Sequence, residues 1–327
     1  MKLSLSALFF VAAAPSAFCC AVVGRSDDSV RIESERAIII WDAARKVEHF
    51  IREARFDGKV KADFGFLVPT PTQPELAEVD SEAFTYVMRL AGMQKVLSAS
   101  APRAAEQKAG VKVLERKKVG GLDAAVLEAG DPVALDRWLK KNGYVSGPVL
   151  LEWYRPYVAE GWKITAFKID AEDGRATPSP VRMSFQAERP FFPYREPPTK
   201  GRDRLLRVYF VSDARYDAAL AADAHWPGHA TWSGSIPAQS REGLMKLVKL
   251  SRAEAVNAAW LTEFEDRASP RPAGGELFFA RASRQTAFER GMAENGHGVM
   301  AWIWLGALIV VVALLAVAFR QSRKSNG

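Results

Sequence analysis

Two histidines, His225 and His229, have a spacing that suits metal binding. Imidazole nitrogens are common zinc ligands, and two histidines four positions apart share one face of a helix. Pro227 and Gly228 lie between them and break any helix there, so the pair belongs to a loop. One interpretation is a loop metal site at His225 and His229, with Asp223 as a third ligand. The alternative is a polar surface turn that binds no metal.

Other catalytic motifs are missing from the sequence. Ser233-Gly234-Ser235 lacks the flanking pattern of a nucleophile elbow, and no glycine-rich phosphate loop or dinucleotide fingerprint occurs. The two cysteines, Cys19 and Cys20, are adjacent and close to the N-terminus, away from a scaffold that could hold attack geometry. Catalysis by a pair of carboxylates is compatible with the sequence, because 38 acidic residues allow many pairings. The sequence therefore predicts no cofactor and no catalytic residue.

A proline-rich segment, residues 190–198, carries the aromatic side chains Phe191, Phe192 and Tyr194. Its four prolines hold it extended, and a segment that is already ordered loses little entropy when it binds a partner. Trp226 is a further aromatic residue outside the predicted helices and strands. We predict a binding surface at Phe191, Phe192, Tyr194 and Trp226. The alternative is an aromatic strap that covers the protein's own core.

The elements that position these residues are strands with a few helices between them. Apolar and alternating runs predict strands over residues 37–41, 46–56, 59–68, 121–129, 162–169, 181–186, 205–211 and 276–280. Asp57-Gly58 predicts a hairpin turn, and capping residues predict helices over 81–91, over 131–142 and from near Ser240. This irregular order favours an α+β fold, a largely antiparallel sheet with several packing helices.

The two ends of the chain predict where the protein lies. Residues 1–18 combine an early lysine, a 12-residue apolar run and small residues, the pattern of a signal peptide. An uncleaved N-terminal anchor is the alternative. Residues 299–319 contain no charge in 21 positions, which is long enough to span a bilayer as a helix, and three basic residues follow on the side expected to be cytoplasmic. Between these ends the sequence predicts an exported domain over 19–282 and a juxtamembrane stalk over 283–298, with a cytoplasmic tail at 320–327.

The net charge of +7 comes largely from the ends. Without their four basic residues the exported part holds 41 basic and 38 acidic residues, so neither charge nor location favours nucleic acid as a partner. One stretch, residues 93–118, is locally basic and is predicted to be a solvated loop or linker. Contact with anionic headgroups or an acidic envelope polymer is its alternative role.

Several strings of sequence are similar to those of one bacterial family. They are CCAV at 19–22, HFIR at 49–52, DFGFLVPTPT at 63–72, GLDAAVL at 121–127, WKITAFK at 162–168 and PFFPYREP at 190–197. Together they resemble the domain of unknown function 2330, a family of exported bacterial proteins. The resemblance implies a location in the bacterial envelope. It implies no activity, cofactor or catalytic residue.

These observations favour a single-pass, membrane-anchored exported protein that acts as a binding or assembly module of the bacterial envelope. Its location would be the bacterial cell membrane, with the N-terminal bulk outside the cytoplasm. Its partners would be the membrane itself and an envelope protein or polymer. The alternative is an envelope enzyme, a hydrolase that uses carboxylates or the loop metal site.

Overall fold

The computed structural model describes residues 22–23, 31–57, 64–92, 112–169, 179–197, 205–221, 224–251, 258–268, 271 and 275–289. The predicted signal peptide, the cysteine pair, residues 93–111 of the basic stretch, the predicted span at 299–319 and the tail lie outside these residues. The chain divides into two compact units, Met1–Ala287 and Phe288–Gly327, and every element below belongs to the first.

The described part of the chain contains fifteen strands and four helices. The strands are β1 (Val22–Val23), β2 (Arg31–Asp42), β3 (Val47–Asp57), β4 (Phe64–Thr70), β5 (Glu75–Glu78), β6 (Lys112–Val119), β7 (Leu122–Glu128), β8 (Lys163–Ile169), β9 (Val181–Gln186), β10 (Phe191–Phe192), β11 (Leu205–Ser212), β12 (Tyr216–Leu220), β13 (His229–Ser235), β14 (Trp260–Asp266) and β15 (Leu277–Arg281). The helices are α1 (Glu82–Leu90), α2 (Pro132–Lys141), α3 (Pro148–Ala159) and α4 (Ala238–Leu247).

The strands form three sheets. The largest has seven strands in the order β13-β14-β11-β2-β3-β9-β5, the second has five in the order β1-β4-β8-β7-β6, and the third has three in the order β10-β15-β12. Every pairing is antiparallel except that of β2 with β11 in the middle of the large sheet. The predicted α+β class with largely antiparallel sheets is confirmed.

Three apolar clusters hold the sheets and helices together. One joins the facing sides of the seven-stranded and five-stranded sheets and includes Phe50, Phe66 and Phe167. The second packs α1 and α4 on the other face of the large sheet, and the third packs α2 and α3 on the other face of the five-stranded sheet. Each large apolar side chain buried in these clusters stabilises the fold by roughly 1.5–3 kcal/mol. The helices therefore form the two outer layers of this arrangement.

The predicted hairpin at Asp57-Gly58 is wrong. Strand β3 pairs with β2 and β9, whereas β4 pairs with β1 and β8, so the strands on either side of this dipeptide belong to different sheets. The tight reversal lies instead between β2 and β3. There Asp42 Oδ1 accepts hydrogen bonds from the backbone N–H groups of Ala44 (3.1 Å) and Arg45 (3.0 Å). An Asp side chain at the start of a turn commonly accepts hydrogen bonds from backbone N–H groups two or three residues later, and this stabilises the turn.

The prediction of a loop over 93–118 is wrong for its C-terminal part. Residues 112–118 belong to β6, which pairs along its length with β7 and ends at the turn of Gly120 and Gly121. Both glycines have positive φ, which a side chain would disfavour. The basic residues of β6 were compatible with a strand because it is the edge of its sheet, where charged side chains also prevent unwanted pairing.

Among the described residues, no helix combines the length and hydrophobicity that crossing a bilayer requires.

Candidate functional site

Phe191 and Phe192 form β10, the short strand of the three-stranded sheet. Phe191 pairs with Phe278 and its ring contacts that of Trp162, with centroids 5.2 Å apart. The Phe192 ring meets Phe50 edge-on at 6.0 Å. Both phenylalanines are buried, so they fill the core between the sheets.

Tyr194 and Trp226 converge on one buried carboxylate, that of Asp266. The Tyr194 hydroxyl donates to Asp266 Oδ2 at 2.6 Å, and Trp226 Nε1 donates to the same oxygen at 3.3 Å. Burial, together with the bond to Asp266, raises the pKa of Tyr194 far above its ordinary value. All four predicted binding residues are therefore buried, as the core-strap interpretation expects.

Further hydrogen bonds attach this aromatic segment, residues 190–197, to separate parts of the fold. The Phe191 N–H donates to Glu48 Oε2 of β3 at 2.9 Å. The Arg195 N–H donates to Glu276 Oε2 at 3.3 Å, and the Arg195 carbonyl accepts from Trp153 Nε1 of α3 at 2.9 Å. The segment thereby ties α3 to β3 and to Glu276, which lies next to β15.

Two of the carboxyl groups in these attachments have raised pKa values. Glu48 is fully buried, and burial raises its pKa well above the ordinary value. Its Oε1 has no hydrogen-bond partner within the described part of the chain. Burial also raises the pKa of Glu276, although the Tyr157 hydroxyl donates to its Oε1 at 2.7 Å.

A buried ion network lies beside the aromatic segment. Arg52 Nε donates to Glu35 Oε1 at 2.9 Å. Arg271 Nη1 reaches Glu35 Oε2 at 3.4 Å and Glu196 Oε1 at 2.9 Å. Arginine stays protonated in proteins, so these guanidinium groups fix charge in place and do not relay protons. The network joins β2, β3 and the aromatic segment.

A serine and a histidine on neighbouring strands resemble a nucleophile with its base. His49 Nδ1 lies 2.8 Å from Ser184 Oγ, on the neighbouring strands β3 and β9. His49 is buried and Ser184 is half-buried. Glu75 lies across from Ser184 on β5, and its Oε1 accepts from Arg182 Nη2 at 3.3 Å. Sequence reasoning missed this pair, because its members are 135 positions apart and no motif surrounds either.

A small cavity lies between the two larger sheets. Its volume is about 20 Å³, enough for roughly one water molecule. The residues that line it are Arg52, Phe66, Leu122, Phe167, Ser179, Val181 and Met183. The cavity is too small for an organic substrate.

The two predicted metal ligands lie at the surface. His225 and His229 are both exposed, and His229 begins β13, where it is paired with Glu265 of β14. Asp223, the third candidate ligand, lies outside the described residues. Within the ranges that the structure covers, no group of three or more His, Cys, Asp or Glu side chains is arranged to hold a metal ion.

Two solved structures share a distant likeness with the chain. The crystal structure of baculovirus P35 has a TM-score of 0.40 at 5% identity, covering 80% of this chain and 100% of that one. A mutated baculovirus P35 after caspase cleavage has a TM-score of 0.31 at 5% identity, covering 78% and 98%. Likeness at these scores supports no conclusion about function. No curated protein matches the sequence.

A family model supplies the firmer comparison. The family described as "Uncharacterized protein conserved in bacteria (DUF2330)" matches residues 12–276, which is most of the chain and includes every site discussed above. The match runs through the aromatic segment, Glu48 and Glu276. The chain therefore belongs to the domain of unknown function 2330 family, a family conserved in bacteria.

Proposed function

We propose that this chain is a single-pass, membrane-anchored binding or assembly module of the bacterial cell envelope, with its folded unit outside the cytoplasm. The observation that carries the proposal is the uncharged run at 299–319, followed at once by Arg320, Arg323 and Lys324. Such a run is long enough to span a bilayer, and the basic cluster sets its orientation. The folded unit that precedes it has bacterial relatives through the family match.

The use of the buried polar groups favours binding over catalysis. Glu48, Glu276 and Asp266 each accept hydrogen bonds that hold the aromatic segment in place. The cavity between the sheets has room for about one water molecule. Groups engaged in this way hold the backbone and side chains of the aromatic segment in position.

Fractionation of cells that express the full-length protein tests its location. We expect the chain to remain in the membrane pellet after alkaline carbonate extraction. In spheroplasts, added protease should degrade the folded unit and spare a tag fused after Gly327. Release by carbonate, or a tag that protease removes, would contradict the proposed anchor and orientation.

Crosslinking in living cells tests the assembly role. The full-length protein at native level should yield one reproducible envelope protein, identified by mass spectrometry, whose crosslinks map to the folded unit. A well-characterised envelope complex serves as the positive control. No partner, under conditions that capture that complex, would contradict assembly with a protein and leave an envelope polymer as the ligand.

The Ser184–His49 pair supports a second candidate, an envelope hydrolase. In such an enzyme Ser184 Oγ would attack an acyl carbon while His49 accepts its proton. A fluorophosphonate probe tests this, because phosphonylation forms the Oγ–P bond, expels fluoride and transfers the hydroxyl proton to the base. Labelling lost in Ser184→Ala but kept in Ser146→Ala, another half-buried serine, would favour the enzyme. Absence of labelling in the wild-type protein would argue against it.

A further inference from the structure

The large hydrophobic side chains that stand exposed in the described structure are gathered in one segment. They are Val133 (52% exposed), Val145 (38%) and Val149 (41%), and all belong to α2, α3 or the loop between them. The hydrogen bond from Ser146 Oγ to Asp136 Oδ1, at 2.6 Å, holds that loop against α2. Val145 and Val149 flank Ser146 in the chain, and Val133 lies one helical turn before Asp136. The three valines therefore lie within a few positions of the two residues that form this bond.

The same segment carries two exposed basic side chains in line with Val133. Val133, Arg137 and Lys141 follow each other at four-residue spacing on the exposed face of α2. The opposite face of α2 is buried through Leu135 and Trp138. We call Val133, Arg137, Lys141, Val145 and Val149 together the α2–α3 surface.

Further positive charge adjoins the C-terminal end of α2. Arg116 Nη2 donates to Asn142 Oδ1 at 3.4 Å, and Lys168 Nζ donates to the Asn142 carbonyl at 3.5 Å. These two residues come from β6 and β8, so strands distant in sequence bring basic groups beside Lys141. Lys140, also exposed, is paired with Asp136 at 2.7 Å.

Most acidic groups of this region are engaged with cations. Glu152 is paired with Arg155 at 2.7 Å, and Asp123 lies 3.9 Å from Lys118. Asp131 is exposed and caps α2 by accepting from the Val133 and Ala134 N–H groups. Glu160, the exposed C-cap residue of α3, adds a further negative charge. The exposed basic groups of α2, Arg137 and Lys141, take part in none of these pairs.

We infer that the α2–α3 surface lies against the anionic headgroups of a membrane leaflet. This inference rests on the proposed function, which places the folded unit beside a membrane. Basic residues attract anionic lipid, and apolar side chains among them enter the boundary between headgroups and acyl chains. A soluble anionic polymer would match the charge but would leave the valines in water, so the combination favours lipid.

The expected effect is measurable. Basic residues near an anionic leaflet each contribute to association, so the loss of two lowers the docking constant by roughly 30-fold. Docking shields the backbone of the loop between α2 and α3 from solvent. Amide hydrogen exchange in residues 142–147 therefore reports the docked fraction.

The test uses the full-length protein in nanodiscs of phosphatidylcholine alone and of phosphatidylcholine mixed with phosphatidylglycerol. We expect slower exchange of residues 142–147 in the anionic discs. The double variant Arg137→Glu/Lys141→Glu should remove this difference. Arg241→Glu/Lys246→Glu, the same charge change on α4 at the opposite outer layer, should retain it.

Three results would overturn the inference. The first is equal amide exchange of residues 142–147 in both kinds of disc, for protein that has entered the discs. This result would refute the docking but not the membrane anchor. The second is equal loss of protection in both double variants, which would reduce the effect to net charge. The third is the same protection in neutral discs on addition of soluble polyphosphate, which would indicate a polymer site. Failure to enter neutral discs would instead refute the proposed anchor, and the docking with it.

Discussion

The carboxyl group of Glu48 lies in the core, where it accepts a hydrogen bond from the Phe191 amide. Burial raises its folded-state pKa well above the ordinary value of 4.5. The folded protein therefore binds this proton more tightly than the unfolded chain does. Its contribution to stability is greatest at pH values below 4.5 and declines as the pH rises toward the folded-state value.

Replacement of Glu48 by Gln should stabilise the protein increasingly as the pH rises. Glutamine keeps the shape and the acceptor for Phe191 but has no charge to bury. We expect the free energy of unfolding of Glu48→Gln, relative to wild type, to grow from about pH 4 upward. Urea denaturation across a pH series measures this, with Glu78→Gln, at an exposed position, as the control. A difference that does not change with pH would contradict the argument.

The bond between Tyr194 and Asp266 should be stabilising in its own right. A buried hydrogen bond to a charged group contributes about 1.5–3 kcal/mol, so Tyr194→Phe should lower the free energy of unfolding by that amount. A double-mutant cycle with Asp266→Asn isolates the coupling between the two side chains. Coupling within the error of zero would show that the 2.6 Å contact contributes nothing.

Among the elements, the aromatic segment connects three parts of the fold through hydrogen bonds. Its attachments reach β3 through Glu48, α3 through Trp153, and Glu276 next to β15. The segment has only two residues of strand, so its conformation is set by these contacts and by its prolines.

Removal of the Phe191 ring should destabilise the protein strongly. The ring contacts Trp162, Phe185 and Phe278, and its loss leaves a cavity, so Phe191→Ala should cost about 3–5 kcal/mol. Val149→Ala, at an exposed position, should change stability by less than about 0.5 kcal/mol. Urea denaturation compares the two. An unchanged midpoint for Phe191→Ala would return the segment to the surface-binding interpretation.

Elements with strong local signals were predicted from the sequence, and those without them were not. Helix α2 begins at the proline after Asp131, whose side chain caps it as expected. Helix α3 was missed because Pro156 lies inside it and apolar residues surround it on several faces. Strand β14 was missed because it carries buried glutamates, and Arg207 of β11 is one of the partners that balance their charge.

The residues of the aromatic candidate site could be identified from the sequence. Whether they bind a partner or fill the core could not. The sequence singled out Phe191, Phe192, Tyr194 and Trp226 as aromatic residues outside regular elements. Whether they face solvent depends on partners such as Asp266, which are distant in sequence. The pairing of His49 with Ser184 depends likewise on strand register, which residue types alone do not specify.

At the scale of the whole molecule, Arg271 connects regions that are far apart in the chain. It contacts Glu35 of β2 and Glu196 of the aromatic segment, and it is almost fully buried. A buried ion pair adds little over an apolar replacement of the whole network, but loss of one partner leaves unpaired charge behind.

Arg271→Met should therefore lower the stability of the fold far more than an Arg→Met change at the surface. We expect a loss of about 3–5 kcal/mol in the free energy of unfolding, because Glu35 and Glu196 stay buried without that cation. Arg267→Met is the control, since the Arg267 side chain is 71% exposed. Similar midpoints for the two variants in urea would show that the buried network tolerates the loss.

The parallel pairing of β2 with β11 has a consequence for how the protein is made. It joins residues 171 positions apart, such as Ser34 with Leu205, in the middle of the largest sheet. A ribosome adding about 5–20 residues per second needs roughly 10–30 s to supply the second strand after the first. For most of that interval both edges of the β2–β3 hairpin stay open to wrong partners, because β9, which pairs with the β3 edge, is also synthesised late. The unfolded chain is therefore most exposed to wrong strand pairing before β11 is available.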